Sequence, residues 1–254
     1  MNNKANVLFM DVETTPLIAY SWGPKYDTSL IDVLEHTRIL SYSAKWLGGK
    51  HITKGWPDYK GYKKGALNDK SITEDIWELI NEADIIVAHN GRDFDVKVIN
   101  TRIALHGLTP PAPYKIVDTK TEAKKYMRLP SNSLNDICDF FGIGRKLEHE
   151  GFPLWKKCMA GDVAAWRRMK EYNRRDIILL ESVYLRILPW MATHPTVGMY
   201  TDKLVCPRCG SGKLQSRGWS ITRTMKYKRV HCQNCGSWSR SPKSEPHIRP
   251  YVGI

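Results

Sequence analysis

Four cysteines near the C-terminus constrain this chain more than any other feature. Cys206-Pro207-Arg208-Cys209-Gly210 and Cys232-Gln233-Asn234-Cys235-Gly236 are two Cys-x-x-Cys-Gly knuckles with 22 residues between them. A tetrahedral four-thiolate Zn²⁺ site needs two such bites, and a glycine after each lets the chain turn tightly. His231 is the only nearby substitute ligand. Cys138 and Cys158 stand alone, so the spacing argues for metal rather than a disulfide framework. A unit this small depends on its metal to fold. The 254 residues therefore divide into a body of ordinary size, expected over 1–195, and a small metal-held appendage, expected over 196–254.

Charge follows the same division. Of the net charge of +13, residues 201–254 supply +9, from eleven Lys/Arg against Asp202 and Glu245; the first 200 residues carry only +4. A basic tail on a nearly balanced body points to a polyanionic partner, most simply nucleic acid. Between the knuckles lie Arg217, Trp219, Arg223, Lys226, Tyr227, Lys228 and Arg229, with Trp238 and Arg240 beyond them. Cations interleaved with aromatics can neutralise phosphates and stack bases. The stretch between the knuckles has room for a two-stranded hairpin, and the unit resembles a zinc ribbon. A protein partner is the alternative use for such a ribbon. No apolar run is long enough to span a bilayer, and the N-terminus reaches Asp11 before a signal-peptide core can form, so a soluble, cytoplasmic protein is expected.

The body begins with an apolar run, Ala5 to Met10, that reads as a buried strand and stops at Asp11-Val12-Glu13-Thr14-Thr15-Pro16. Side chains alternate along a strand, so Asp11 and Glu13 share a face at its C-terminal end, where an α/β sheet places its ligands. Two anions so close repel unless a cation lies between them, and oxygen ligands on a rigid element suit Mg²⁺ or Mn²⁺. A lone Asp-x-Glu is as readily a solvated strand end, so partners elsewhere decide.

Downstream, a loop with Trp22, Pro24 and Tyr26 precedes strands over 38–47 and 51–56 turned by Gly48-Gly49, then a basic exposed loop over 57–70. Ser71-Ile72-Thr73-Glu74 reads as a capping box opening a helix over 72–82. A strand over 84–88 leads to His89-Asn90-Gly91-Arg92-Asp93-Phe94-Asp95 and a helix closed by Gly107, with Asp95 in its first turn. A strand over 115–118, a helix capped by Asp118, a short helix capped by Ser133 and ended by Gly142, an irregular basic and aromatic stretch over 142–161, and a long helix over 162–188 complete the body. This order calls for an α/β fold, a mixed sheet flanked by helices.

On the long helix Tyr172 and Asp176 are i and i+4, one above the other. Asp11, Glu13, Asp95 and Asp176 then make four acids, and such groups are rarely buried together without metal. Two divalent ions can clamp the attacking and leaving oxygens of a phosphoryl displacement. Asp11-Val12-Glu13-Thr14, Asn90-x-x-x-Phe94-Asp95 and Tyr172-x-x-x-Asp176, with Leu129-Pro130-Ser131-Asn132-Ser133-Leu134 between them, resemble the three motifs of the tyrosine-type DEDD exonucleases. They are most similar to the proofreading domains of family B DNA polymerases. The histidine-type motif would place histidine where this chain has Glu171.

The resemblance implies an RNase H-like body. It implies that Asp11, Glu13 and Asp176 hold the catalytic metal, Asp11 bridges to a second ion, Asp95 supports that ion directly or through water, and Tyr172 orients the attacking water. Thr14, Asn90 and Phe94 are expected near the terminal nucleotide, and Arg217, Trp219, Arg223, Lys226, Lys228 and Arg229 on the strand held by the ribbon. His89 is expected to be structural. The chain is thus expected to be a two-metal 3′→5′ exonuclease using two Mg²⁺ or Mn²⁺ ions and one structural Zn²⁺. Its expected partner is nucleic acid, DNA with a free 3′ end ahead of RNA. A structure-selective endonuclease and a non-catalytic nucleic-acid-binding protein are the alternatives.

Overall fold

The apolar run before Asp11 forms β1 (Val7–Thr14), the middle strand of a five-stranded sheet, in a computed structural model that describes residues 4–22 and 29–245. β2 (Ile18–Ser21) and β3 (Leu30–Glu35) pair as a separate hairpin where the sequence suggested a loop. Their side chains are mostly exposed, so no apolar alternation announces them. Trp22 follows β2, almost fully exposed; Pro24 and Tyr26 lie outside the described residues. β4 (Ile39–Trp46) and β5 (His51–Gly55) form the expected hairpin beside β1.

α1 (Lys70–Glu82), β6 (Ile85–Ala88), α2 (Asp95–Leu105), β7 (Lys115–Asp118), α3 (Thr119–Tyr126), α4 (Leu134–Phe140), α5 (Phe152–Met159) and α6 (Val163–Ile187) complete the body. The strand order is β5-β4-β1-β6-β7, with β4 antiparallel to its neighbours and β1, β6 and β7 parallel. The RNase H-like mixed sheet flanked by helices is therefore present as expected. β1 splits the core by its period of two. Leu8, Met10 and Val12 join Ile72, Ile76 and Ile80 of α1 and Ile99 and Ile103 of α2, while Val7 and Phe9 join Ile177, Leu180 and Tyr184 of α6.

Two local expectations fail for identifiable reasons. Ser71 does not cap α1, which starts at Lys70 with Asp69 at the cap position. The Asp69 carboxylate is instead turned inward, accepting from Arg102 Nε and Nη2 at 2.7 Å, from the Ile39 amide at 2.9 Å, and bonding His106 Nε2 at 2.8 Å. Burial alone would raise its pKa, but these donors hold it below the usual carboxylate range. The second is the stretch over 142–161, which is not wholly irregular. Gly151 turns the chain at φ 74°, Pro153 sits in the first turn of α5, and Leu154 and Cys158, four residues apart, are fully buried.

The C-terminal region is a three-stranded antiparallel sheet, β10-β9-β8, made by β8 (Leu214–Ile221), β9 (Lys226–Cys232) and β10 (Trp238–Ser244). The sequence suggested only the hairpin of β8 and β9. β10 was hidden because its alternating half-exposed residues carry Pro242 and two lysine or arginine side chains rather than an apolar stripe. Val197 ties this unit to the body: its amide donates to the Pro207 carbonyl at 2.8 Å, and its side chain packs in the core cluster of α6.

Candidate active site

The β1 row that begins with Val7 and Phe9 faces α6, where Phe9 meets Tyr184 edge to face at 5.2 Å between ring centroids. Two residues further along come Asp11 and Glu13 on that same row. Opposite them on β4 stand Ser43 and Ser41. These are small side chains that leave room for α6 to approach the strand end. Asn173 of α6 fills the space, accepting from Ser41 Oγ at 3.4 Å and donating through Nδ2 to Asp11 Oδ2 at 2.6 Å. One helical turn on, Asp176 is 2 % exposed, and one ligand oxygen each from Asp11, Glu13 and Asp176 lies within 4.8 Å of the other two.

Three carboxylates this close are costly as bare anions. Burial and the charges of Asp95, Glu13 and Asp176 push Asp11 well above the usual carboxylate range. Burial, then Asp176, pushes Glu13 up to about 8. Asp176 is raised by burial and pulled back by Lys146, whose Nζ donates to Asp176 Oδ2 at 2.6 Å. The other oxygen, Oδ1, is buried without a hydrogen-bond partner. Clustered hard oxygen donors, with one of them unsatisfied, fit a divalent cation such as Mg²⁺ or Mn²⁺.

A raised pKa in the folded state means that stability is full below the unfolded value and is lost as pH rises through the folded one. For Glu13 the window runs from about 4.5 to about 8. Without divalent ions, the melting temperature should therefore fall by several degrees between pH 5 and pH 8.5. Adding Mn²⁺ should raise it more at pH 8.5 than at pH 5. Differential scanning calorimetry checks both, and an equal Mn²⁺ shift at the two pH values would contradict a cation among these acids.

Tyr172 lies on the same face of α6 as Asp176, with its hydroxyl 3.4 Å from Lys146 Nζ. Burial and then the Asp176 charge raise its pKa, so the phenol stays protonated. His149 packs on its ring at 4.7 Å and on Trp155 at 5.1 Å, and the Trp155 side chain hydrogen-bonds Glu13. Asp95 does not join the three-acid group. Its Oδ1 accepts the Val12 amide at 3.0 Å, and burial raises it to about 6. Its charge nevertheless raises the pKa of Asp11, ahead of Glu13 and Asp176.

The sequence model of the RNase_H superfamily matches residues 8–188, the stretch from β1 to the end of α6. The chain belongs to the RNase_H superfamily. No curated protein sequence matches it. Among solved structures, a family B DNA polymerase from the hyperthermophilic archaeon Pyrobaculum calidifontis superposes with a TM-score of 0.53 at 13 % identity, over 89 % of this chain and 32 % of that one. The chain thus spans about a third of the polymerase's length. That likeness is one of fold. RNase H-like nucleases act on nucleic acid with divalent metal ions, and the acidic group is compatible with such ions.

Around this RNase H-like centre, Thr14 ends β1 beside Thr15, Pro16, His149, Phe152 and Trp155, which line a cleft of about 380 Å³. Asn90 sits at φ 65°, its side-chain oxygen accepting from Lys120 Nζ at 3.2 Å and its backbone N–H donating to Asp118 Oδ1 at 3.1 Å. Phe94 is 43 % exposed next to Asp95. His89 bonds Thr119 Oγ1 and the Asn132 carbonyl, and burial lowers its pKa to about 4, so it stays neutral as a structural group. Asp118 caps α3 as expected. No motif or repeat in the sequence marks Lys146, Trp155 or Asn173 as part of the site. Asn173, beside Tyr172 on a helix known to face the strand, was the one that spacing could have found.

The four thiolates form a second centre. Cys206 and Cys235 sulfurs are 3.7 Å apart and those of Cys209 and Cys232 3.6 Å, and all four group within 4.8 Å. A tetrahedron with Zn–S bonds of about 2.3 Å has edges of about 3.8 Å, so the donors fit Zn²⁺. His231 is not among them; it stacks on Trp238 at 4.6 Å. The ribbon sheet presents two basic-aromatic faces. Lys226 Nζ lies 4.3 Å over Trp219, which pairs with Lys228 in register. On the other face Arg229 covers Trp238 at 4.9 Å and Arg240 covers Tyr227 at 4.0 Å. Arg217 accepts through its carbonyl from Arg229 Nε at 2.9 Å, and Arg223 lies between β8 and β9.

Proposed function

We propose that this chain is a 3′→5′ exonuclease that hydrolyses phosphodiester bonds at the end of a nucleic-acid strand. The observation that carries the reading is the convergence of Asp11, Glu13 and Asp176 beneath Tyr172 at the end of β1. Divalent ions held by these three carboxylates, with the charge of Asp95 acting on Asp11, would activate water and neutralise the charge that develops on the phosphate.

The chain's own groups supply the positioning. Asn173 fixes Asp11 through its 2.6 Å hydrogen bond. Lys146 fixes Asp176 and the Tyr172 hydroxyl together, and places a cation where a phosphate would enter. Tyr172, protonated and facing the acids, can accept a hydrogen bond from the attacking water and aim its lone pair at phosphorus. Attack breaks the bond from phosphorus to the 3′ oxygen, the leaving oxygen takes a proton, and a nucleoside 5′-monophosphate departs. Terminal attack is supported by the cleft at Thr14, whose volume of about 380 Å³ suits a single nucleotide and which α5 walls with Phe152 and Trp155. The ribbon, with its seated cations, would hold the strand upstream. DNA is favoured as that strand.

Single- and double-stranded DNA and RNA labelled at the 5′ end, with a circular DNA control, test the reading in Mg²⁺ or Mn²⁺. Stepwise shortening from the 3′ end and an intact circle are expected. A linearised circle would make the protein an endonuclease.

A further inference from the structure

A second cavity, of about 500 Å³, lies between β5, the loop after it and α6. Its walls include Thr53, Pro57, Tyr62, Trp166, Arg167 and Arg174. At about 3.6 residues per turn, Arg167 and Arg174 lie on the side of α6 roughly opposite to Tyr172 and Asp176, with Trp166 about a quarter-turn from that pair, and none of Asp11, Glu13 and Asp176 lines the cavity, so this is not the acidic centre.

Two of its groups lack something to bond. Trp166 is 4 % exposed, and its Nε1 has no hydrogen-bond partner; the Tyr62 hydroxyl is likewise buried and unpartnered. The benzo edge of Trp166 is wedged against Gly55, where an added Cβ would sit 2.5 Å from Cζ3, which leaves the N–H on the opposite edge of the ring. An indole N–H can only donate, and leaving a buried donor unmet is costly. Arg167 and Arg174 are exposed at the mouth and pair with no carboxylate among the described residues. Lys170 is already held by Asp58 at 2.9 Å and Glu171 by Arg168 at 3.1 Å, so the free charge at the mouth is positive.

We infer that this cavity binds a nucleotide unit, with its phosphate on Arg167 and Arg174 and its base against Tyr62 and Trp166, where ring acceptors satisfy the two orphan donors. Aromatic walls ask for a flat ring, unpaired guanidinium groups ask for phosphate, and the volume falls in the range of small-molecule sites. The choice of a nucleotide rests on the nuclease reading; the pocket's need for an anion with acceptor atoms does not. The unit is either a free mononucleotide or a residue of a bound strand.

Calorimetric titration of the full, zinc-loaded chain with deoxyadenosine 5′-monophosphate, in buffer without Mg²⁺ or Mn²⁺, tests this away from the acidic centre. One nucleotide per chain is expected to bind. The Arg167→Ala/Arg174→Ala variant should bind at least tenfold more weakly, and Trp166→Phe several-fold more weakly. The arginines are exposed, so that variant keeps its fold even where Trp166→Phe does not. No binding to the unaltered chain, or unchanged binding by the arginine variant, would overturn the assignment. Inorganic phosphate competing as well as the mononucleotide would also overturn it, because the base would then contribute nothing. A 5′-phosphorylated pentanucleotide that binds more tightly through the same arginines identifies a strand as the source, and one that binds no better identifies the free nucleotide. Because hydrolysis is not measured, nucleotide binding without nuclease activity would sink the proposed function and leave the pocket standing.

Discussion

Asp11→Asn and Asp176→Asn are each expected to reduce Mg²⁺- or Mn²⁺-dependent hydrolysis by roughly 10³-fold or more, beyond the 10–100-fold typical of groups that only support a metal ligand. Both changes keep side-chain shape and remove one negative charge from a set that burial and mutual repulsion already destabilise. In divalent-free buffer at pH 8 Asp11→Asn should therefore melt at a higher temperature than the unaltered protein, whereas Asp176→Asn also gives up its charge pairing with Lys146. The combination separates chemistry from folding, since a variant that is more stable and inactive has lost a functional charge rather than a fold. Asp95→Asn should cost less, because the amide oxygen can still accept from Val12. Hydrolysis rates and calorimetric melts measure the set. Activity within a few-fold of normal in either Asp11→Asn or Asp176→Asn would dismiss the site.

The acids were legible because they ride on regular elements. Asp11 and Glu13 share a face by the strand's period of two, and Tyr172 and Asp176 share one by the helix's i and i+4 repeat, so spacing alone put each pair on a common surface. Lys146 has no such address. It follows Gly142 and Gly144 in an irregular segment, and only the close approach of that segment to α6 brings its ammonium to Asp176. Trp155 reaches Glu13 from α5, a short helix whose buried Leu154 and Cys158 are masked in the sequence by the basic residues around them. The capping box at Ser71 misled for a different reason. A local rule for helix starts was overridden by Asp69, whose carboxylate binds Arg102 and His106 across more than thirty residues of chain. Ribbon geometry was legible at the four cysteines, but the third strand was not, since its partner is the outer edge of β9 rather than the hairpin turn.

Replacing Cys206 and Cys209 by Ser should release one Zn²⁺ per chain and unfold β8, β9 and β10, because these thiols provide half of the tetrahedron that closes the ribbon. Loss of amide protection in hydrogen exchange should stop near Val197, where the ribbon meets the α6 core, and leave the body's own clusters intact. Lys226, Arg229 and Arg240 lose their aromatic seats at the same time. If those cations contact phosphates, affinity for long strands should fall by about tenfold or more, and the slope of log affinity against log salt should drop by about 2–3, close to one per lost phosphate contact. Hydrolysis of short substrates, which need only the acidic centre, should change little. Fluorescence anisotropy at several salt concentrations reads the slope directly. An unfolded ribbon with unchanged affinity and slope would instead assign its two basic-aromatic faces to a protein partner, because binding that releases no counterions is not binding to a phosphate backbone.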